Sequence, residues 1–212
     1  MIENNNLQLG EIEFQPSTHE RADAAANRLL ILQTADRLFT ERGVAEVTMA
    51  DIAAAAGVGK GTLYRRFDNK AELALSLLDG RTREFQNTVL NRLQLYEEQG
   101  APYIERLDYY LDALARFTDA HLPLLCVVQS EGLIEDREQS HPYHWQHHTV
   151  SALLVRGVAA GELRPTIDIP YTADALLASL RADIFRYQRA ARGFSIERIS
   201  SGLRELLHAL SQ

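Results

Sequence analysis

Apolar residues recur at three- and four-residue spacing along almost the whole chain. From Ala22 onward, Leu29, Leu30, Leu32, Ala35, Leu38 and Phe39 mark one side of a helix. Gly43 follows Glu41 and Arg42 and reads as the residue that ends it. Thr48 suits the cap of the next helix, and Asp51, three positions on, can return the bond as in a capping box. A short helix is predicted from Met49 to Ala56, with Ile52, Ala53 and Ala56 on one side and Gly57 at its end. A second short helix runs from Lys60 to Phe67. Asp68 or Asn69 caps the one after, whose stripe is Leu73, Leu77 and Leu78. Further helices are predicted over about 69–99, 102–120, 122–135, 143–160, 171–192 and 196–210. The breaks fall at Gly100-Ala101-Pro102, Leu122-Pro123, His141-Pro142, Gly161 to Pro170 and Gly193. No stretch alternates with period two for long. The pattern predicts an all-α chain of about nine helices. Residues 1–21 are polar, rich in Asn and Gln, and read as a poorly structured arm.

Composition adds limits. The chain has 212 residues, 46% of them hydrophobic, enough to bury a core without staples. The single cysteine, Cys126, excludes an internal disulfide; among Leu124, Leu125 and Val127 it reads as a small buried hydrophobe. No apolar run approaches the ~18 residues of a membrane span, and the first residues lack the pattern of a signal peptide. A cytoplasmic protein with no membrane partner is the expectation. The net charge of −7 argues against indiscriminate coating of nucleic acid. Yet residues 57–70 carry Lys60, Arg65, Arg66 and Lys70 against Asp68 alone, and these are the protein's only two lysines. A small basic face on an acidic body suits DNA contact at one place.

That face lies on a segment with helix–turn–helix logic. Ala53 is small where two short helices must approach, and Gly57 can take the positive φ of a tight turn. Val58 is the inward peg, and Leu63 and Phe67, four apart, seat the second helix. Lys60, Gly61, Thr62, Tyr64 and Arg65 are left to face outward, where the start of such a helix enters a major groove. Lys60, Arg66 and Lys70 suit phosphate contacts, and Thr62 can touch a base, a phosphate or a thymine methyl.

The segments Ile31-Leu-Gln-Thr-Ala-Asp-Arg-Leu-Phe39, Arg42-Gly-Val44, Thr48-Met-Ala-Asp-Ile-Ala53, Ala56-Gly-Val-Gly-Lys-Gly-Thr-Leu-Tyr-Arg-Arg-Phe67 and Asn69-Lys-Ala-Glu-Leu73 stand in a specific order and spacing. Together they resemble the DNA-binding domain of the tetracycline-repressor (TetR) family of bacterial transcription regulators, over residues 28–78. Gly59 departs from the serine common at that cap, and Arg65-Arg66 from the usual histidine or tyrosine. The resemblance implies DNA contacts from Thr48, Lys60, Thr62, Tyr64 and Lys70, with Gly61 and Arg65 on the same face. It implies a helix–turn–helix domain over 22–70 and a helical ligand-binding and dimerisation domain over 71–212. It also implies a homodimeric repressor that binds a palindromic operator in double-stranded DNA and is released by a small-molecule effector. Dimerisation would use the last two helices, with Leu176, Ile184, Ile199, Leu203 and Leu206 as candidates, although one face of each helix must serve the subunit's own core.

Phe85, Tyr103, Tyr110, Phe117, Gln129, Trp145 and Phe185 are candidates for an effector pocket, against the plainer role of core packing that aromatics at helical spacing usually fill. Arg181 suits an ion pair with Asp183 or Asp112, or an acidic effector. His144 and His148 share a helix face four apart, within a run that includes His141 and His147, and are weak metal candidates; otherwise no metal and no cofactor is expected. A metal-responsive regulator and a helical adaptor for proteins are therefore the alternatives. The adaptor leaves the outward Lys60–Arg65 face without a purpose. The glycine run at 57–61 is not a phosphate loop, because Ala54 and Gly61 occupy positions that need Gly and Ser or Thr. No nucleophile elbow, His-Glu-x-x-His or dinucleotide loop is present, so an enzyme is not expected.

Overall fold

The computed structural model describes residues 18–131 and 142–211. The part of the expected arm before Thr18, the expected helix end at 132–135 and His141 lie outside the described residues. Among those described, the chain is helical with no strand, in nine α-helical segments. These are α1 (Thr18–Arg42), α2 (Met49–Ala55), α3 (Lys60–Tyr64), α4 (Lys70–Glu98), α5 (Tyr103–Ser130), α6 (Pro142–Ala159), α7 (Ile169–Ala178), α8 (Ala182–Arg186) and α9 (Ile196–His208).

Two apolar cores organise them. The first joins Ile31, Ala35 and Leu38 of α1 to Ile52 and Ala53 of α2, Leu63 of α3, Phe67, and Leu73, Ala74 and Leu78 of α4. Leu124 and Val128, from the far end of α5, also belong to it. The second gathers Leu107, Tyr110, Leu111 and Leu114 of α5 with Val150 and Leu154 of α6, Leu176 of α7, Phe185 of α8, and Ile199, Leu203 and Leu207 of α9. The long helices α4 and α5 therefore run from one core into the other.

The helix ends follow the sequence closely. Gly43 (φ 86°) and Gly57 (φ 66°) take the left-handed conformation that a side chain would strain. Asn69, rather than Asp68, caps α4 by accepting a bond from the Glu72 N–H (2.9 Å).

Two stretches differ from expectation. The expected break at Leu122-Pro123 does not occur, and α5 runs through Pro123. Proline removes the bond to the Asp119 carbonyl. The burial of Leu111, Leu114, Ala115 and Thr118 before it and of Leu124 and Val128 after it keeps the helix continuous. Conversely, the expected helix over 171–192 is divided. It stops at Ala178, Arg181 becomes extended (ψ 141°), and α8 restarts and passes into a π-helical turn, Tyr187–Ala191. Arg189 in that turn donates to Asp119 (2.7 Å) and to the Phe194 carbonyl (2.6 Å), bonds that straight helical periodicity does not foretell. Arg181 pairs with Asp183 (3.4 Å).

Candidate DNA-binding face and effector groove

The α2–α3 unit is built as its residues dictate. Thr48 Oγ1 accepts from the Asp51 N–H (3.2 Å), and Asp51 Oδ2 accepts from the Thr48 N–H (2.9 Å) and hydroxyl (2.6 Å). These bonds from Thr48 hold the Asp51 carboxyl below its ordinary pKa, with a smaller contribution from Arg42. In the turn, Gly57 N–H donates to the Ala54 carbonyl (3.2 Å) and Val58 N–H to the Ala53 carbonyl (3.1 Å). Leu63 and Phe67 are fully buried and seat α3, and the Arg28 guanidinium lies 4.8 Å above the Phe67 ring. Gly59 precedes α3 with no side-chain cap.

The opposite side of α3 faces solvent. Lys60, Gly61 and Arg65 are exposed there, and Tyr64 is 50% exposed. Thr62 is half-buried and its Oγ1 accepts from Arg65 Nη2 (3.3 Å), so these two share one surface position.

Two expected DNA contacts are otherwise engaged. The Thr48 hydroxyl proton goes to Asp51. Lys70 Nζ donates to the carbonyls of Val44 (2.7 Å), Val47 (3.1 Å) and Ala45 (3.2 Å). An ammonium has three protons, and here all three close the α1–α2 connection. Lys70 thus clamps that connection.

Of the seven expected pocket residues, only Phe85 and Phe117 line an open groove of about 540 Å³ between α4 and α5. Their ring centres are 4.7 Å apart, and His121 stacks on Phe117 at 4.5 Å. Trp145 meets Phe85 edge-on at 6.2 Å, and Tyr110 meets Trp145 at 5.9 Å, so both stand behind the groove wall. Tyr110 is fully buried beside Thr149, whose hydroxyl donates to the Trp145 carbonyl (2.8 Å). Burial pushes that phenol far up, so it stays protonated. Phe185 is core, Tyr103 packs under the Arg106 guanidinium (4.4 Å), and Gln129 bonds Asp183.

The other lining residues, Arg81, Glu84, Thr88, Tyr109, Ala113, Arg116 and His121 among them, do not stand out in the sequence. Their signal is the spacing of three and four on each of two helices, polar residues included. Arg81 reaches out of the groove to Asp36 on α1, joining the two cores. Burial lowers the His121 pKa, and Arg81 lowers it further against the Phe117 carbonyl and Asp36, so the ring is neutral at pH 7.

His144 and His148 are exposed, and no group of three metal-ligating side chains occurs among the described residues. His147 instead approaches Asp174 (3.5 Å), which also accepts from the Tyr143 hydroxyl. Leu176, Ile199 and Leu203, expected at a dimer interface, are buried in the subunit's own core, because α7 packs on α6 and α9 on α5. Ile184 and Leu206 remain exposed, along with Tyr171 and Tyr187.

Known proteins share this arrangement. The model of the tetR family of bacterial regulatory proteins matches residues 31–77. The HTH-type transcriptional regulator TtgR of Pseudomonas putida is 31% identical over 176 residues, covering 79% of this chain and 82% of its own. The chain belongs to the TetR family. Another relative, the HTH-type transcriptional regulator SAR2658 of Staphylococcus aureus, is 29% identical over 84% of this chain and 90% of its own. Among solved structures, a transcriptional regulator from Saccharomonospora viridis in complex with choline has the same fold: TM-score 0.67, 20% identity, 89% of this chain and 99% of that one. As a TetR-family member the protein is a DNA-binding transcriptional regulator and not an enzyme. No helix among the described residues is long and apolar enough to cross a membrane.

Proposed function

We propose that the protein is a homodimeric repressor that binds a near-palindromic operator and leaves it when a small effector occupies the groove between α4 and α5. The observation that carries this reading is the α3 face: Lys60, Gly61, Tyr64 and Arg65 stand outward while Leu63 and Phe67 hold the helix from behind. Each subunit presents α3 to one major groove. Half-sites then lie about 34–36 Å apart, or a multiple of that. Tyr171, Ile184, Tyr187 and Leu206 are exposed apolar side chains on the last helical segments, and their burial favours pairing there. A regulator of this fold solved with choline supports a small organic effector. Arg81 both lines the groove and holds Asp36 of α1, so occupancy of the groove can bias how α1 sits. The effector must favour one arrangement over the other to shift anything.

Selection from random duplex DNA tests the first part. The wild type is expected to enrich a palindrome, and a Lys60→Ala/Tyr64→Ala protein is expected to lose it; equal enrichment by both removes α3 from recognition. For Tyr64→Ala alone, operator affinity should drop by about 1–3 kcal/mol with the melting temperature unchanged. For dimerisation, Leu206→Glu should shift the protein from dimer to monomer in sedimentation at micromolar concentration. A dimer unaffected by that charge places the interface elsewhere.

A further inference from the structure

The cations around α3 are not placed alike. Lys70 donates to three backbone carbonyls, and the Arg66 Nε is buried. Arg65 is exposed and forms no ion pair with a described residue. Its side-chain bond runs from Nη2 to Thr62 Oγ1 (3.3 Å), three positions earlier. The guanidinium at the end of α3 is therefore folded back along the helix, toward its N-terminal end. That is the end of such a helix whose residues meet base edges. Gly61, beside Thr62, carries no side chain, and the space where one would start is open, so a base edge can come close there.

One Nη2 proton goes to Thr62. The second Nη2 proton, both on Nη1 and the one on Nε remain, and they keep the two-pronged geometry of the group. Guanine alone offers two acceptors side by side in the major groove, O6 and N7; adenine and thymine each pair one acceptor with a donor or a methyl, and cytosine offers a donor. A long side chain already held in place also loses less freedom on binding.

We infer that Arg65 reads a guanine in each half-site of the operator, presenting its fork to O6 and N7 while Thr62 holds it from one side. This rests on α3 being the element that enters the major groove, and it names what one residue of that face selects.

The palindrome selected by the full-length protein supplies the test. Each guanine of a half-site is replaced in turn by 7-deazaguanine, symmetrically in both halves, which removes the N7 acceptor and keeps the base pair. At one position the wild type is expected to lose about tenfold in affinity. Arg65→Ala, at an exposed site and with an unchanged circular dichroism spectrum, should bind the natural operator more weakly and show no further loss on the modified one. Thr62→Val, which keeps the shape and removes the acceptor, should retain Arg65 but shrink the 7-deazaguanine penalty. The inference is overturned if no guanine responds in the wild type, or if Arg65→Ala keeps the full penalty. It is also overturned if Arg65→Ala weakens all sequences alike and lowers the salt slope by about one, the signature of a phosphate contact. An unchanged penalty in Thr62→Val removes the positioning role of Thr62. If a Lys60→Ala/Tyr64→Ala protein selects the same palindrome as the wild type, α3 is not the reader, and that reading falls together with the guanine assignment.

Discussion

Lys70→Met is expected to lower the stability of the N-terminal core by about 2–4 kcal/mol, since it removes a charged donor from three carbonyls at once. Methionine keeps the length of the stem, so the change isolates the ammonium. The carbonyls of Val44, Ala45 and Val47 lose the Nζ that now closes the α1–α2 connection. Val44 and Val47 are themselves buried, so loosening this connection disturbs the packing beneath α2. Operator affinity should fall because the domain opens, with the salt dependence of binding unchanged. A phosphate contact behaves differently: its loss lowers the salt slope by about one and leaves the melting temperature alone. Denaturant melts combined with binding at several salt concentrations separate the two outcomes, and a flattened slope at constant stability would return Lys70 to the DNA.

Phe67→Ala should cost about 3–5 kcal/mol, the range for emptying a fully buried aromatic site. Phe67 has no exposed surface, and Arg28, which stacks on its ring and donates to Ser76 (3.0 Å), loses its platform. The loss is local, because Phe67 belongs to the first core only. Hydrogen exchange should therefore accelerate at the amides of α2 and α3 and stay slow in α9, with operator binding lost. Equal acceleration in α9 would show that the two cores unfold as one.

The sequence carries the DNA-binding half of this picture well, for physical reasons. Short helices, caps and tight turns are written in nearest neighbours. The Thr48–Asp51 box, the left-handed Gly57, the Asn69 cap and the inward Leu63 and Phe67 all follow from residues within five positions. The clamp made by Lys70 is not legible, because its carbonyl partners lie 23–26 positions earlier, and a lysine in a basic window looks the same whether its charge meets a phosphate or three carbonyls. The groove is half legible. Phe85 and Phe117 stand out as aromatics, but Glu84, Arg116 and His121 acquire meaning only when α4 and α5 are laid side by side. The penultimate helix misleads for the same reason: its π turn carries Arg189 to Asp119, a partner seventy positions away. Pro123 errs in the other direction, because burial on both sides of it outweighs one missing bond.

The passage of α5 through Pro123 also bears on how such a protein can be rebuilt. Leu124 and Val128 complete the core that holds α3, although they lie more than fifty positions beyond Phe67. A DNA-reading unit cut from the first eighty residues would leave their place on Leu73, Ala74 and Leu78 bare to water. Grafting this α2–α3 reader onto a foreign sensor therefore means carrying the end of α5 with it. The two halves have to evolve in step, and new ligand specificity is most safely gained on the α4–α5 surface away from that shared seam.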